Sequence, residues 1–451
     1  MSQADTIVAL ATPAGESALG VIRLSGDACD LLPEAVFNHP SPTPRTAYLA
    51  VYRDFLGESL DQTLFIYYEK GCSYTGQPSL EIFCHGNPLI LRKVVDDLVF
   101  RGCRLAEPGE FTRRAFLSGR MELVQAESVA TLIRARSDRA LEIANRHLRG
   151  ETGQRINLLR NKVLEVVAQL EAYVDFPRED LPREDMADAI GQIEVVANEM
   201  GKAAETGRFA HLLEAGVQTL VTGEPNAGKS SLFNAICGKA RAIVNEEPGT
   251  TRDYIGERLH LGPFEVELID TAGMRNNATG LELTGMERTL NLAQETEFFL
   301  LTLDGTLPSP SLPTDFLERL TPDNCIVVEN KMDLGETGTH HDFLPEMPHV
   351  RTSALTGQGI QSLKDLWRES LEKRLPSPTA DTLIVNARHA KCLLGAQASL
   401  SDAINLLRKE AGVELALSDM RSALEELGEI VGGADNEDML DRLFQSFCIG
   451  K

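Results

Sequence analysis

The chain has 451 residues, of which 43% are hydrophobic, and its formal net charge is −23 at pH 7. That length predicts about two to four domains, and that hydrophobic content is sufficient for packed cores. The negative charge disfavours direct attraction of nucleic-acid phosphates unless basic residues are concentrated in one region.

Several features missing from the sequence narrow the class of protein further. No apolar run reaches the roughly eighteen residues that a membrane-spanning helix needs, and the N-terminus lacks a basic, cleavable leader. The eight cysteines are scattered without a Cys-x-x-Cys pair, which argues against a zinc site or a disulfide framework. His340 and His341 lie in a polar stretch without metal-ligand spacing and are expected to be solvated. A soluble, cytoplasmic protein that does not bind membranes is therefore expected.

The first segment, residues 1–118, reads as an α+β domain. One helix is predicted near Pro88–Arg101, and short β-like runs precede it. These runs are Thr6–Ala11, Gly20–Leu24, Thr63–Tyr68 and Leu80–Cys84.

The second segment, residues 119–210, is predicted to be helical, with apolar residues at 3–4 spacing through Leu123–Ile133 and Ile156–Leu170. Residues 101–162 carry 13 Lys or Arg against 7 Asp or Glu. This basic excess has two interpretations, an RNA-binding surface or a solvated helical face with ordinary charge pairs. The arginines concerned include Arg113, Arg114, Arg134, Arg136, Arg139, Arg146 and Arg149.

The most informative motif lies in the third segment, residues 211–376. Residues 223–230 read Gly-Glu-Pro-Asn-Ala-Gly-Lys-Ser, which is the spacing of a phosphate-binding loop. The glycines let backbone N–H groups curl toward phosphate oxygens, Lys229 reaches the terminal phosphates, and Ser230 offers a hydroxyl to Mg²⁺. A strand at Val217–Val221 is predicted before the loop, and a helix after it ends before Gly238. This context favours a nucleoside triphosphate site over a chance glycine-rich turn.

Three later segments predict that the bound base is guanine. Asp270-Thr271-Ala272-Gly273 ends a predicted strand, placing a carboxylate near Mg²⁺ and a glycine N–H near the γ-phosphate. Asn330-Lys331-Met332-Asp333 ends another predicted strand. Asp333 can accept two hydrogen bonds from guanine that adenine cannot donate. Ser353-Ala354-Leu355 supplies backbone N–H groups for the guanine oxygen. The four motifs in this order predict GTP rather than ATP.

Between these motifs, residues 249–253 read Gly-Thr-Thr-Arg-Asp and stand where a first switch loop is expected. Thr251 is the candidate to give its hydroxyl to Mg²⁺ only while the γ-phosphate is present. The alternative is a polar connecting loop. Two β-like runs follow, Tyr254–Leu261 and Phe264–Ile269, joined by Gly262-Pro263. They predict a hairpin whose first strand is antiparallel to an otherwise parallel sheet.

Helical segments stand on both sides of this nucleotide domain. Its last helix is predicted near Ile360–Leu375, and helices resume at Ala387–Lys409 and Ser418–Gly428. The predicted fold class is therefore multidomain α/β. A Ras-like P-loop G domain with a mixed, mostly parallel sheet (211–376) is inserted into an all-α helical domain (119–210 and 377–451). An α+β domain (1–118) precedes both.

One departure from the small signalling GTPases is informative. Met274 stands where those proteins have the glutamine that orients the attacking water, and no arginine finger is identifiable. The chain resembles the MnmE (TrmE) family of tRNA-modification GTPases in three features: the apolar residue Met274, the 223–230 loop and the Gly-Thr-Thr-Arg-Asp switch. Four further segments match that family too: residues 109–128, Ser73-Tyr74-Thr75-Gly76, His85-Gly86-Asn87 and the terminal Phe447–Lys451. The family more usually has two glycines after the histidine that corresponds to His85.

The resemblance implies how GTP is hydrolysed without an arginine. It implies a potassium ion held by Asn226, with ligands from Asn245, Glu247 and Thr250, and two G domains that dimerise across their nucleotides. Such a cation supplies the same sign of charge as a guanidinium. Lys229 and Glu282 are the implied catalytic residues, Glu282 by positioning the water, although most glutamates near a helix start are merely solvated.

The candidate GTP-binding residues are Asn226, Ala227, Gly228, Lys229, Ser230, Ser231, Asn245, Glu246, Glu247, Pro248, Gly249, Thr250, Thr251, Asp270, Thr271, Ala272, Gly273, Asn330, Lys331, Asp333, Ser353, Ala354 and Leu355, with Ser230 and Thr251 as magnesium ligands.

The two ends of the chain carry a second implied site. In the family the C-terminal tail reaches the N-terminal domain, where a tetrahydrofolate carrying one carbon binds (5,10-methylene-tetrahydrofolate, or 5-formyl-tetrahydrofolate as an analogue). By position, Arg23, Glu81, Arg120 and Lys451 correspond to the residues that hold it. Cations suit the glutamyl carboxylates of folate, and a carboxylate suits the amino edge of the pterin. Cys448 is either a reactive thiol or a small buried hydrophobe.

The resemblance thus implies a potassium-activated, homodimeric GTPase. With an FAD-containing MnmG (GidA)-type partner, it would add an aminomethyl or carboxymethylaminomethyl group to carbon 5 of the wobble uridine of certain tRNAs. Two alternatives remain open, a GTPase that serves only as an assembly factor and a nucleotide-controlled scaffold without folate chemistry. The Cys-Ile-Gly-Lys end, together with Arg23 and Glu81, favours the folate interpretation.

Overall fold

The computed structural model describes residues 5–135, 137–175, 183–207, 216–238, 255–270, 296–310, 312–335, 340, 342–373, 383–409, 412–433, 437–445 and 447–450. Within these ranges the chain forms two six-stranded sheets and thirteen α-helices. Two compact units result, one of residues 1–133, 144–197 and 395–451, the other of residues 134–143 and 198–394.

The first unit contains a six-stranded sheet. Its strands are β1 (Ile7–Leu10), β2 (Ser17–Ser25), β3 (Ala47–Arg53), β4 (Ser59–Tyr68), β5 (Ser79–Gly86) and β6 (Arg104–Leu105). Their order in the sheet is β3-β4-β5-β2-β1-β6. All neighbouring strands are antiparallel except β1 and β6, which run parallel.

The four predicted β-runs of residues 1–118 are confirmed as β1, β2, β4 and β5, while β3 and β6 were not predicted. The core of this sheet gathers apolar side chains from alternate strand positions, such as Ile22, Leu80 and Ile82, all fully buried. Stacking of Phe37 on Phe65, with ring centroids 4.2 Å apart, closes the core against a short helix that the sequence analysis also missed.

The helices of the first half begin with that short one. They are α1 (Leu32–Phe37), α2 (Pro88–Phe100), α3 (Glu110–Leu117), α4 (Leu123–Arg134), α5 (Asp138–Leu148), α6 (Glu151–Asp175) and α7 (Arg183–Glu205). The predicted helix at Pro88–Arg101 is confirmed as α2. It begins there because the Asn87 side chain accepts a hydrogen bond from the backbone N–H of Leu89, and Pro88 occupies the first turn, where no N–H is needed.

The second unit contains a sheet with strand order β12-β11-β10-β7-β9-β8. Its strands are β7 (Val217–Gly223), β8 (Ile255–Leu261), β9 (Phe264–Asp270), β10 (Phe298–Asp304), β11 (Cys325–Asn330) and β12 (His349–Arg351), and its helices include α8 (Lys229–Cys237), α9 (Thr314–Leu317) and α10 (Ile360–Lys373). All pairs are parallel except β8 with β9, which pair through Leu261 and Phe264. The predicted hairpin in a mostly parallel sheet is confirmed.

Three further helices end the chain, α11 (Ala387–Arg408), α12 (Val413–Val431) and α13 (Glu437–Gln445). Within the first unit, α13 packs on α3 and α4 through a small core that includes Leu123, Leu440 and Phe444. An ion pair of 2.8 Å between Arg113 and Asp441 adds a polar contact to the same junction. The C-terminal helix is thereby anchored close to the N-terminal sheet.

The second unit lies within the sequence of the first, so the predicted insertion of the nucleotide domain is confirmed. The predicted boundaries at residues 118, 210 and 376 stay predictions. None of the helices in the described part of the chain is long and apolar enough to span a bilayer.

We expect Leu363→Ala to lower the free energy of unfolding of the second unit by about 2–5 kcal/mol, since Leu363 is fully buried and its removal leaves a cavity. Trp367, the only tryptophan of the chain, lies one turn further along α10. It stacks on Phe298 with ring centroids 6.1 Å apart, so its fluorescence during urea unfolding reports this core. Leu355→Ala is the control, because Leu355 is 84% exposed; equal unfolding midpoints for the two variants would contradict the assignment of this core.

Candidate nucleotide site and a second cluster at the chain ends

The phosphate-binding loop follows β7 and leads directly into α8, as predicted. Gly228, at the start of α8, has φ +91°, and a Cβ added there would lie 2.4 Å from Nδ2 of Asn330. Glycine is therefore required at 228 by both backbone conformation and close approach. Ala227 is buried, whereas Ser230 and Ser231 lie exposed in the first turn of α8, where free backbone N–H groups favour an anion.

Lys229 is held over this loop by the protein itself. Its Nζ donates to the backbone oxygens of Gly223, at 3.0 Å, and Glu224, at 2.7 Å. These bonds curl the side chain back along the loop, so its charge lies at the loop rather than in solvent. Because hydrogen bonds within the protein already order this long side chain, a phosphate that binds at the loop meets a fixed cation.

Asn226 has a conformational reason for its residue type. Its φ is +66°, in the left-handed region that asparagine tolerates better than most residues with a side chain. The side chain is exposed. A role in binding a cation must therefore be tested with a variant that keeps this backbone conformation.

The buried amide of Asn330 links the phosphate loop to the guanine-recognition segments. Its Nδ2 donates to the backbone oxygen of Ala227 at 3.1 Å. Its Oδ1 accepts from the backbone N–H of Ala354 at 3.0 Å and from Oγ1 of Thr352 at 3.3 Å. Asn330 is 1% exposed, so these bonds are made where water does not compete.

The same two guanine-recognition segments also meet through a second hydrogen bond. Oγ of Ser353 donates to Oδ1 of Asp333 at 2.6 Å, which fixes a carboxylate that is otherwise exposed. The structure therefore brings together Asp333, Ser353 and Ala354, as the motif order predicts. Leu355 is exposed beside them.

The magnesium side of the site is described only in part. Asp270 ends β9 and is 5% exposed, and its neighbour across the sheet is Val221, just before the phosphate loop. The remaining predicted residues lie outside the described residues: Asn245, Glu246, Glu247, Pro248, Gly249, Thr250, Thr251, Thr271, Ala272, Gly273, Met274 and Glu282.

The sequence analysis missed Asp304, which ends β10 beside the guanine segments. Its Oδ2 lies 2.6 Å from Nζ of Lys331. Burial raises the pKa of the Asp304 carboxyl, but hydrogen bonds from Lys331 and Thr306 outweigh this and hold the pKa below its usual value. The signal that could have found it is the largely apolar run of residues 298–303, which is followed by Asp-Gly, as is typical where a strand ends in a loop.

The expectation that His340 is solvated was wrong. The ring is 1% exposed, with Nε2 3.1 Å from the backbone oxygen of Asp304 and Nδ1 3.2 Å from Oγ of Ser309. A polar stretch predicted exposure, but two hydrogen bonds allow the imidazole to be buried. His341 lies outside the described residues.

A second cluster of predicted residues lies in the first unit, on its sheet. Arg23 on β2 is directly opposite Glu81 on β5, and the guanidinium lies 2.8–2.9 Å from Oε1 of Glu81. The guanidinium also lies near two aromatic rings, 5.9 Å from the centroid of Tyr74 and 6.0 Å from that of Phe111. The hydroxyl of Tyr68 donates to Oε2 of Glu81 at 3.3 Å. Cation, carboxylate and aromatic faces therefore adjoin one another.

The C-terminal tail reaches this cluster. An NH1 group of Arg23 lies 3.4 Å from the backbone oxygen of Gly450. A Cβ added to Gly450 would lie 2.7 Å from the backbone oxygen of Leu10, on β1, so the tail fits closely only with glycine there. Cys448 is exposed, which disfavours its interpretation as a buried hydrophobe.

The other two residues of the predicted folate set are less well defined. Arg120 is exposed, and its Cγ lies 3.3 Å from the place a Cβ would take on Gly76, in the loop that carries Tyr74. Lys451 lies outside the described residues.

The basic excess of residues 101–162 is largely neutralised by local carboxylates. Arg113 pairs with Asp441, Arg114 with Asp5 and Glu110, Arg139 with Glu142, and both Arg146 and Arg149 with Glu151. Arg136 lies outside the described residues. These contacts favour the charge-pair interpretation over an RNA-binding surface, since a paired arginine gives up much of its attraction for phosphate.

The loop–helix geometry, the preceding strand and the guanine segments joined through Asn330 define a P-loop guanine-nucleotide-binding protein. Two family models cover nearly all of the chain: "GTP-binding protein TrmE N-terminus" over residues 6–120 and "MnmE helical domain" over residues 123–448. The chain belongs to the MnmE family of tRNA modification GTPases.

Relatives named "tRNA modification GTPase MnmE" match over the full length. The protein of Opitutus terrae is 42% identical over 455 residues, 99% of each chain. That of Aquifex aeolicus is 38% identical over 99% of this chain and 100% of its own. A solved G domain of the FeoB iron transporter of T. maritima is 23% identical, covers 36% of this chain and 99% of its own, and has a TM-score of 0.26; so low a score carries no argument.

We expect Asn330→Ala to lower the free energy of unfolding of the second unit by about 1–3 kcal/mol, because it leaves the buried backbone oxygen of Ala227 and the partly buried N–H of Ala354 without their bonds. Asn330→Asp keeps the acceptor for Ala354 but turns an oxygen toward the oxygen of Ala227, so its loss should be at least as large. Urea unfolding followed by Trp367 fluorescence measures both. Asn234→Ala, at an exposed position of α8, is the control, and an Asn330→Ala midpoint equal to that control would contradict the bridge.

Proposed function

We propose that this chain is a potassium-activated, homodimeric GTPase that installs a wobble-uridine modification together with a flavin-containing partner. The observation that carries the GTPase part is the Asn330 bridge, which holds the phosphate loop and the guanine segments at one fixed spacing. Membership of the MnmE family supports the tRNA part.

The chain's own residues would divide the work of hydrolysis. Lys229 and the N–H groups of the first turn of α8 would bind the phosphates, and Asp333, held by Ser353, would accept hydrogen bonds from guanine. Ser230 and Asp270 fit a magnesium site by residue type, and Asp270 ends β9 beside β7, the strand that leads into the loop before Ser230. Glu282 and the switch residues Thr250 and Thr251 lie outside the described residues, and their roles rest on the family resemblance.

A potassium site would replace the missing arginine finger. Asn226, Asn245, Glu247 and Thr250 are the proposed ligands, of which the structure describes only Asn226. When bound, K⁺ would offset the negative charge that develops on the phosphate oxygens. Asn226 fits this role because its side chain is exposed on the loop rather than committed to the core.

The folate cluster would supply the one-carbon unit. Arg23 and Glu81 lie together and the tail reaches them, which suits a ligand that has both carboxylates and an amino edge. Arg120 and Lys451 would add positive charge. The redox step would be carried by the FAD of an MnmG-type partner, and the product would be an aminomethyl or carboxymethylaminomethyl group on carbon 5 of the wobble uridine of certain tRNAs.

We expect GTP turnover to be about tenfold or more faster in potassium than in sodium buffer at equal ionic strength, because a bound cation of the right size replaces the arginine finger. Initial rates of phosphate release at saturating GTP measure this. Equal rates in the two buffers would contradict the potassium site.

Asn226→Gly is the sharper companion variant. Glycine accepts the φ of +66° at this position, so the loop keeps its conformation and only the carboxamide is lost. The potassium stimulation should disappear while the urea midpoint stays near that of the wild type. Full stimulation in Asn226→Gly would assign this asparagine a conformational role alone.

For the folate cluster, calorimetric titration with 5-formyl-tetrahydrofolate is expected to show binding that Arg23→Ala weakens about tenfold or more, because a charge-assisted pair is lost. Gly450→Ala should weaken it too, since the added methyl group would push the tail off Leu10.

Gly428→Ala is the matched control, a glycine within α12 where an added Cβ meets nothing within 4 Å. Removal of Lys451 alone should lower the affinity in the same direction as Gly450→Ala. No binding by the wild type, or binding unchanged by Arg23→Ala and by loss of Lys451, would remove folate from the proposal.

A further inference from the structure

The ion pair between Asp304 and Lys331 is the starting point for a further inference, which rests on the proposed binding of guanine nucleotides. Oδ2 of Asp304 lies 2.6 Å from Nζ of Lys331, and the side chains are 10% and 29% exposed. Oδ1 of Asp304 accepts from the N–H of Thr306 at 3.0 Å and from its Oγ1 at 2.7 Å. The carboxylate is thus held at both oxygens, unlike that of an ordinary surface pair.

The backbone on each side of this pair is also fixed. Asp304 lies directly opposite Asn330 in the parallel pairing of β10 with β11, and the N–H of Gly305 donates to the backbone oxygen of Asn330 at 2.8 Å. Lys331 has φ +67°, an uncommon conformation for a residue with a long side chain. Lys331 is therefore fixed at both its Cα and its ammonium group. The strand register fixes the backbone next to it, and Asp304 fixes the ammonium.

A buried histidine supports the loop that carries Asp304. Because the backbone oxygen of Asp304 can only accept, Nε2 of His340 carries a proton and donates to it, while Nδ1 forms a hydrogen bond with Oγ of Ser309. His340 therefore joins the start of this loop, at Asp304, to a point five residues later. The two hydrogen bonds of His340 therefore hold segment 304–309 in a fixed conformation beside the guanine segments.

We propose that Asp304 is a positioning residue of the guanine site, which acts through Lys331 and sets how long GDP and GTP remain bound. In the sequence, Lys331 lies between Asn330, which holds the loops at a fixed spacing, and Asp333, which would bind the guanine base. A lysine that is ordered before the nucleotide arrives loses less conformational entropy on binding than a free one. Since neither Asp304 nor Lys331 belongs to the γ-phosphate machinery, GDP and GTP should be affected alike.

The test is stopped-flow dissociation of a fluorescent GDP analogue from the full-length chain. Asp304→Asn keeps the size of the side chain and removes its charge, so koff should rise about tenfold, the effect of losing a charge-assisted hydrogen bond. Lys331→Ala should raise koff by a similar factor, and the double variant should exceed the larger single effect by less than about twofold. Asp323→Asn, an exposed carboxylate of the same unit, is the control and should leave koff unchanged.

Two further readouts separate positioning from general damage. In Asp304→Asn the ratio of GDP to IDP affinity, which the Asp333 contacts would set, should stay as in the wild type. The koff for GTP should rise by the same factor as koff for GDP. If Asp304→Asn lowers the urea midpoint measured by Trp367 fluorescence, Thr306→Val is used in its place. That variant removes the hydroxyl that donates to Oδ1 of Asp304, and about a threefold rise in koff is then expected.

Unchanged koff in Asp304→Asn, or in Thr306→Val where that replaces it, would overturn the inference. Additive effects of Asp304→Asn and Lys331→Ala would do so as well, because Asp304 would then act independently of the lysine. Failure of the wild type to bind GDP at all would instead overturn the proposed function.

Discussion

The spacing between three loops of the second unit depends on one buried amide, that of Asn330. Its donor side holds the phosphate loop through Ala227, and its acceptor side holds the guanine-recognition segment through Ala354. The carboxamide donates and accepts from two rigidly related atoms, which no apolar residue of the same size can do. Because all the bonded atoms belong to the protein, the link is available before a nucleotide binds.

The same amide explains the glycine next to it. Gly228 approaches Nδ2 of Asn330 so closely that even a methyl group would displace the bridge. The phosphate loop is therefore shaped from two directions, by contact with phosphate in the proposed function and by contact with β11 in the fold. In the first unit glycine serves the same purpose at Gly450, where it lets the C-terminal tail lie against β1 and reach Arg23.

The sequence predicted the fold most accurately where a motif and hydrophobic periodicity coincided. Strand β7, the phosphate loop and helix α8 came out at nearly their observed bounds, and so did the β8–β9 hairpin. Strand β3 was missed because its alternation is interrupted by alanines and its residues are mostly half-exposed. Asp304 was missed, and His340 was wrongly expected to be solvated, because their contacts depend on strand order, which places β10 beside β11. A single sequence does not state that order. The sequence left two interpretations of the basic excess open for a related reason, since its carboxylate partners include residues as distant in sequence as Asp441.

The most direct test of this account is amide hydrogen exchange on the nucleotide-free protein, followed by mass spectrometry of peptides that cover residues 223–238, 330–335 and 352–355. The account predicts that the amides of Thr352, Ala354 and Leu232 are protected without nucleotide, since their acceptors are Glu329, Asn330 and Gly228. It also predicts that GDP adds little further protection at these positions. Rapid exchange across all three segments, slowed only when GDP is added, would show that the nucleotide rather than Asn330 sets their spacing.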